Sequence, residues 1–213
     1  MNRTLRSVAI PLLAAVALGT KVTGDPGDRS IYQLDSSWVE DNGHALRLRA
    51  LEGDMQLLAL IYTSCTGSCP VTVKAMQMFS RSMPDDLKGQ IHFLLVTVDP
   101  EHDTLATLRE YRHEMKLDRR WKLLRGSASD VRELAAVLGF NYEQIESGQF
   151  VHTNLITVLD THGEIVHQQG DFASDPKPVI DVIRQQQARH QTTRRFPAAR
   201  PSAGLARCAR PSG

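Results

Sequence analysis

Two continuous apolar runs dominate the hydrophobic pattern of this 213-residue chain, at residues 55–62 (MQLLALIY) and 91–98 (IHFLLVTV). Mainly apolar runs of this length are typical of strands that are buried on both faces of a sheet. Shorter strands are predicted at residues 45–51, 122–124, 154–160 and 164–169. The last two flank the sequence THG, which favours a hairpin between them.

Helical spacing of apolar residues follows each of the two long runs. The first helix is predicted to begin at Pro70, which suits a first helical turn, and to end near residue 83. A second helix is predicted at residues 105–115, with Asp103 as its N-cap. Two more helices are predicted, one between a cap at Ser127 or Ser129 and a stop at Gly139, and one from Asp175 toward residue 189.

Strands that alternate with helices predict an α/β fold with a mainly parallel central sheet and helices on its faces. The terminal hairpin adds an antiparallel edge to this sheet. A cysteine pair lies between the first buried strand and its helix, as Cys65 and Cys69. This arrangement predicts a thioredoxin-like fold.

Charge is distributed unevenly along the chain, although its formal net charge is only +1. Residues 20–181 hold 16 basic and 24 acidic residues, a net charge of −8. Residues 182–213 hold seven arginines and no Asp, Glu or Lys. Because nucleic-acid binding needs a basic face, the acidic domain argues against nucleic acid as a partner. The basic tail could meet anionic lipid near a membrane, but a solvated disordered end is the favoured interpretation.

The first 19 residues have the layout of a secretory signal peptide, with two arginines followed by an apolar run of 12 residues. A short N-terminal anchor or a buried helix is the alternative, but a membrane span needs about 20 apolar residues. We therefore expect an exported protein, periplasmic if the source is bacterial. The folded domain is expected at residues 30–187, and a disordered Arg-rich tail at 188–213.

The two clustered cysteines are the main candidates for chemistry. Cys65 falls in the loop after a strand and Cys69 at the start of a helix, whose N-terminal N–H groups favour a thiolate. Cys69 is therefore expected to be more acidic than an ordinary cysteine. The pair could chelate a soft ion such as Cu(I), exchange disulfides, or form a structural disulfide. Zinc would lack ligands, because the third cysteine, Cys208, lies in the tail.

His152 stands out among the eight histidines because it lies just before a strand that should return beside the central sheet. The loop before that strand approaches the thiol pair in a thioredoxin-like fold. A structural role for this histidine stays open from the residues alone.

Three segments in order resemble the Sco/SenC family: YTSCTGSCP, VTVDPEHDT and FVHTNLITVLDTHGEIV. The resemblance covers roughly residues 30–183. Members are exported or anchored thioredoxin-like proteins that bind copper through two cysteines and a histidine and assist assembly of the copper centre of cytochrome c oxidase. The resemblance implies Cys65, Cys69 and His152 as copper ligands. The family often has an aspartate before this histidine, whereas this chain has Val151, which removes an acid that could orient the imidazole.

Three functions follow from these residues. The first is a monomeric copper chaperone without catalytic turnover, whose client is a cytochrome c oxidase subunit or another copper protein. The second is a thiol–disulfide oxidoreductase that uses Cys65 and Cys69 to reduce a copper-accepting client. A peroxidase is a third reading, but the loop TSCTGSCP lacks an Arg or Trp to activate a peroxidatic cysteine. The acidic loop at residues 99–103 is interpreted as turn and helix-cap chemistry, with partner steering as the alternative.

Overall fold

The structure is a computed structural model that describes residues 30–146, 148–170 and 175–195. The predicted signal peptide and residues 196–213 of the predicted tail lie outside the described residues. Within the described ranges, none of the helices combines the length and apolar character that crossing a membrane requires.

Nine strands follow one another along the described chain. They are β1 (Trp38–Glu40), β2 (Ala45–Leu46), β3 (Met55–Ile61), β4 (Ile91–Thr97), β5 (Trp121–Arg125), β6 (Tyr142–Gln144), β7 (Phe150–His152), β8 (Ile156–Leu159) and β9 (Ile165–Gln169). Seven form one sheet in the order β2-β1-β5-β4-β3-β8-β9, and β6 and β7 form a separate hairpin. Strands β3, β4 and β5 are parallel, and the outer pairings of the sheet are antiparallel.

Five α-helices connect or follow these strands. They are α1 (Ser68–Ser82), α2 (Asp85–Lys88), α3 (Leu105–Glu114), α4 (Ala128–Leu138) and α5 (Lys177–Arg195). Two short 3-10 helices lie at Ile31–Gln33 and Leu48–Leu51. Helix α4 has both predicted caps: Ser127 accepts the N–H of Asp130, and Gly139 takes a left-handed conformation at φ 65°.

The α/β, thioredoxin-like fold class is confirmed, with a parallel centre and a terminal antiparallel hairpin. Every residue of β3 is buried, as its unbroken apolar run predicts. Phe93 on β4 stacks on Trp121 of β5 with ring centroids 4.5 Å apart, which ties the parallel strands together on one face.

Three local predictions differ from the structure. The strand predicted at residues 45–51 ends at Leu46 and continues as a 3-10 helix. The N-cap of α3 is Thr104, which accepts the N–H of Thr107, and not Asp103. Helix α5 continues to Arg195, so the domain end expected at residue 187 falls inside it.

The parallel centre places the loops of interest at one edge. Because β3 and β4 run in the same direction, the Cys65 loop and the 99–103 loop both leave the sheet at its carboxyl edge. The β6–β7 hairpin lies between α4 and β8 along the chain and carries His152 at its end. The site is therefore assembled from three segments that are distant in sequence.

Candidate metal centre

The cysteine loop is held at the start of α1. Cys65 is 8% exposed and Cys69 is fully buried, and both are free thiols. The backbone N–H of Cys69 points at Cys65 Sγ, 3.4 Å away. A backbone N–H in the first turn of α1 thus donates to the loop sulfur, which takes the place of the acceptor that an N-cap side chain would supply.

His152 reaches the same place from the hairpin. Its Nε2 lies 3.6 Å from Cys69 Sγ and 3.3 Å from Ser68 Oγ. Its Nδ1 lies 3.0 Å from the carbonyl oxygen of Thr153. In the neutral ring an N–H at Nδ1 donates to that carbonyl, which leaves the lone pair of Nε2 directed toward the thiols. A backbone carbonyl therefore orients the imidazole without an acidic neighbour.

The three predicted site residues converge. The sulfurs of Cys65 and Cys69 and a ring nitrogen of His152 all lie within 4.8 Å of one another. Within the described ranges this is the single His, Cys, Asp or Glu group close enough to hold a metal ion. Two thiols and one imidazole are donors that suit copper, since sulfur favours Cu(I) and imidazole helps to accept Cu(II).

The two thiols differ in acidity, and the prediction that Cys69 is the acidic one is wrong. Burial raises the pKa of Cys69 far above its usual range, and its hydrogen bond with Cys65 raises it further. Burial also acts on Cys65, but hydrogen bonds from Cys69, from the backbone N–H of Gly67 and from His152 outweigh it and lower its pKa to about 7. The N-terminal donors of α1 stabilise the sulfur outside the helix because they point toward it.

An aromatic cluster that sequence reasoning missed surrounds His152. The ring of Tyr62 meets those of Phe150 and His152 edge to face, at centroid distances of 5.1 and 6.0 Å. Phe140 stacks on His152 from another side at 5.7 Å. The sequence holds only a short signal for it: Phe140 and Tyr142, and then Phe150 and His152, are two residues apart, the spacing that places strand residues on one face, but neither run is long enough to predict a strand.

Asp103 has a different role from the predicted helix cap. Its buried carboxylate accepts hydrogen bonds from the backbone N–H of Thr63, 3.0 Å away, and from the hydroxyls of Thr63 and Thr97. It thereby ties the chain just before Cys65 to the end of β4. Asp99 instead pairs with the exposed His102 at 2.8 Å.

The cysteines and histidine open onto a cleft of about 340 Å³. The described residues that line it are Tyr62, Cys65, Thr66, Gly67, Ser68, Gln149, Phe150, Val151 and His152, and none of these is Asp, Glu, Lys or Arg. Val151 is 62% exposed at its mouth. Cys65 is thus the sulfur that faces the cleft, while Cys69 lies behind it.

Known proteins share this sequence pattern and fold. A protein of Stutzerimonas stutzeri described as a candidate copper-binding protein is 30% identical over 86 residues. That match covers 40% of this chain and 41% of the relative, so the chain spans less than half of that relative's length.

Solved structures match over most of their length. Copper-bound ScoI of Bradyrhizobium japonicum has a TM-score of 0.61 at 22% identity, covering 71% of this chain and 96% of that one. A SCO1/SenC family lipoprotein of Bacillus anthracis has a TM-score of 0.65 at 20% identity, covering 74% and 96%. At these identities the likeness shows the fold. The SCO1/SenC family model matches residues 25–188, which confirms the resemblance read from the motifs, and the chain belongs to this family.

Proposed function

We propose that this protein is an exported copper-binding chaperone that holds copper through Cys65, Cys69 and His152 and passes it to a client's copper centre. The observation that carries the proposal is the convergence of two free thiols and one imidazole within 4.8 Å, from segments more than 80 residues apart. A structural thiol pair would not need a histidine lone pair directed at it. The copper-bound family member of Bradyrhizobium japonicum supports copper as the cargo.

The environment of the donors fits capture and release of a cargo ion. Cys69 is buried with a raised pKa, so metal binding there has to displace a proton. Cys65 and His152 face the cleft, which leaves one side of the donor set accessible to the ligands of a client. The described lining holds no charged side chain that would repel a client at the cleft itself.

The client is proposed to be a cytochrome c oxidase subunit or another copper protein outside the cytosol. Export is supported by the signal-peptide pattern of residues 1–19 and by the Bacillus anthracis lipoprotein of the same fold. We expect a periplasmic or membrane-associated monomer if the source is bacterial.

The arrangement of the sulfurs favours a second candidate function, thiol–disulfide exchange. Cys65 opens onto the cleft and Cys69 lies directly behind it. The Cys65 thiolate would attack one sulfur of a client disulfide, forming a mixed disulfide and releasing one client thiolate. Cys69 would then attack Cys65 Sγ, releasing the second client thiolate, so that the client gains the two electrons the pair loses. His152 forms no bond in these steps, although it is one of several groups that lower the pKa of Cys65.

Copper titration of the reduced protein tests the chaperone proposal. We expect one copper per chain, and Cys65→Ser, Cys69→Ser and His152→Ala should each weaken binding by about 100-fold or more, since even residues behind the ligands commonly cost 10–100-fold. His44→Ala is the matched control, because His44 is exposed and its hydrogen bonds among the described residues use its backbone N–H and carbonyl, which the substitution keeps.

Disulfide reduction by the same variants separates the two functions. His152→Ala should lose copper binding and keep the reduction of a model disulfide. Unchanged copper affinity in His152→Ala would overturn the ligand assignment, and would leave thiol exchange as the function that the site supports.

A further inference from the structure

Tyr62 lies at the junction of the segments that build the site. It follows β3 directly, is 4% exposed, and lines the cleft between the cysteine loop and the hairpin. The hairpin strands β6 and β7 pair with each other and with no strand of the seven-stranded sheet. Among the described residues, the distance from His152 to the thiols therefore depends on side-chain contacts and not on a backbone ladder.

The phenol of Tyr62 contacts the hairpin through both its ring and its oxygen. The ring packs edge to face on Phe150 and His152. The backbone N–H of Phe150 donates to the phenol oxygen at 3.4 Å, and the phenol can donate to the carbonyl of Phe150 at 3.5 Å. Both bonds are long, so each is weak, but together they fix the strand residue two positions before His152.

The same residue leads directly into the cysteine loop. Its side chain lines the cleft together with Cys65. The backbone N–H of Cys65 donates to the carbonyl of Tyr62 at 3.2 Å. The single phenol proton can point to the carbonyl of Phe150, while the phenol oxygen accepts the N–H of Phe150.

We propose that Tyr62 is a positioning residue whose phenol joins the start of the cysteine loop to the hairpin and so holds His152 at binding distance from the two thiols. This inference rests on the proposed copper site. Phenylalanine at this position would keep the ring contacts and lose the oxygen. Because sulfur is the donor that Cu(I) favours whereas Cu(II) draws more on the imidazole, the phenol matters more for Cu(II) than for Cu(I).

The experiment compares the full-length protein with Tyr62→Phe and Tyr142→Phe. Tyr142 belongs to the same aromatic cluster, 6.0 Å from Phe150, and among the described residues its hydroxyl makes no hydrogen bond to the cysteines or to Phe150. Tyr62→Phe should weaken Cu(II) binding about tenfold and Cu(I) binding much less, and should change the visible spectrum of the Cu(II) form. Tyr142→Phe should leave both affinities and the spectrum as in the parent.

Amide hydrogen exchange in the copper-free protein gives a readout that does not depend on the proposed function. Tyr62→Phe should speed exchange at the Phe150 amide about five- to tenfold, with amides of β3 unchanged. Parental exchange at Phe150, or equal effects of Tyr142→Phe, would overturn the role of the phenol. If the parent protein binds no copper while Tyr62→Phe still releases the Phe150 amide, the coupling stands and the copper function fails.

Discussion

The cysteine loop and the histidine hairpin reach the same cleft by different means. The loop is fixed by the end of a buried strand, the first turn of α1 and the carboxylate of Asp103. The hairpin is a two-stranded unit outside the main sheet, and aromatic contacts hold it against the loop. The main sheet and α1 thus fix the positions of the two cysteine sulfurs, whereas a few side-chain contacts fix the position of the His152 imidazole. A substitution that disturbs the cysteine loop should mainly lower the free energy of unfolding, and one that disturbs the hairpin should mainly lower copper affinity.

The largest expected effect comes from the loop side. Asp103→Ala removes a buried acceptor of three hydrogen bonds and leaves Thr63 and Thr97 unsatisfied. We expect the free energy of unfolding to fall by about 3 kcal/mol. Denaturant unfolding measures this, with Asp85→Ala as a control whose exposed carboxylate pairs with Lys88 alone among the described residues. An Asp103→Ala midpoint equal to that of the control would show that the carboxylate does not support the loop.

A substitution in the hairpin should lower copper affinity more than it lowers stability. Phe150→Ala removes a half-buried ring that packs on Tyr62 and Tyr142, at a cost of about 1–2 kcal/mol, below that of a fully buried ring. Because the ring helps to place His152, Cu(II) affinity should fall at least tenfold while disulfide reduction by the cysteines continues. Equal losses of both activities would mean that the hairpin and the loop are not separable. Copper titration and a reduction assay on the same preparation make the comparison.

The two thiols should differ in how fast iodoacetamide alkylates them as the pH is raised. Below pH 7 Cys65 is mainly a thiol, and above it the reactive thiolate dominates, so its alkylation by iodoacetamide should rise with a midpoint at about pH 7. Cys69 should stay unreactive through that range, because its pKa is raised and it is buried. Mass spectrometry of the labelled peptides measures both. Faster labelling of Cys69 would contradict the assignment of the acidic sulfur.

The same pKa shifts determine the direction in which the stability of the protein changes with pH. A native pKa below the unfolded value means that the native state releases its proton first. The contribution of Cys65 is therefore complete above the unfolded thiol pKa and lost as pH falls through about 7. Cys69 acts in the opposite direction, and its contribution is lost at alkaline pH, once its raised native pKa is passed.

The smallest expected effect tests the packing behind the loop. Tyr111 on α3 is buried, and within the described part of the chain its hydroxyl has no hydrogen-bond partner. Tyr111→Phe should therefore stabilise the protein by up to about 1 kcal/mol and leave copper binding unchanged. Thermal unfolding checks this. A clear loss of stability would reveal a partner for the hydroxyl.

Much of the loop side could be predicted from the sequence. Unbroken apolar runs, Pro70 and the Ser127 and Gly139 caps are local signals, and local signals determined β3, β4, α1 and α4. Asp103 was misread because an aspartate before a helix resembles a cap, while its partners, Thr63 and Thr97, lie on other segments. The prediction of which sulfur is more acidic was wrong for a similar reason, because the acidity depends on which sulfur the N–H groups of the helix point toward.

The hairpin side was harder to predict. Strands β6 and β7 have three residues each, too short for a periodic signal to rise above its surroundings. The position of His152 was predicted only as a loop beside the thiol pair. Its orientation by the Thr153 carbonyl and its contacts with Tyr62 and Phe140 are tertiary features that no spacing encodes.

The short pairing of β6 with β7 has a consequence for how the site can fail. Tyr142 stands opposite His152 and Glu143 opposite Val151. Because neighbouring residues of a strand point to opposite faces, a slip of one residue would turn the imidazole away and offer the thiols a valine. Such a chain would keep its main sheet, its helices and both cysteines, so a global unfolding measurement would report a folded protein that has lost its third copper ligand. The pairing of three residues with three therefore decides metal binding while adding little to overall stability.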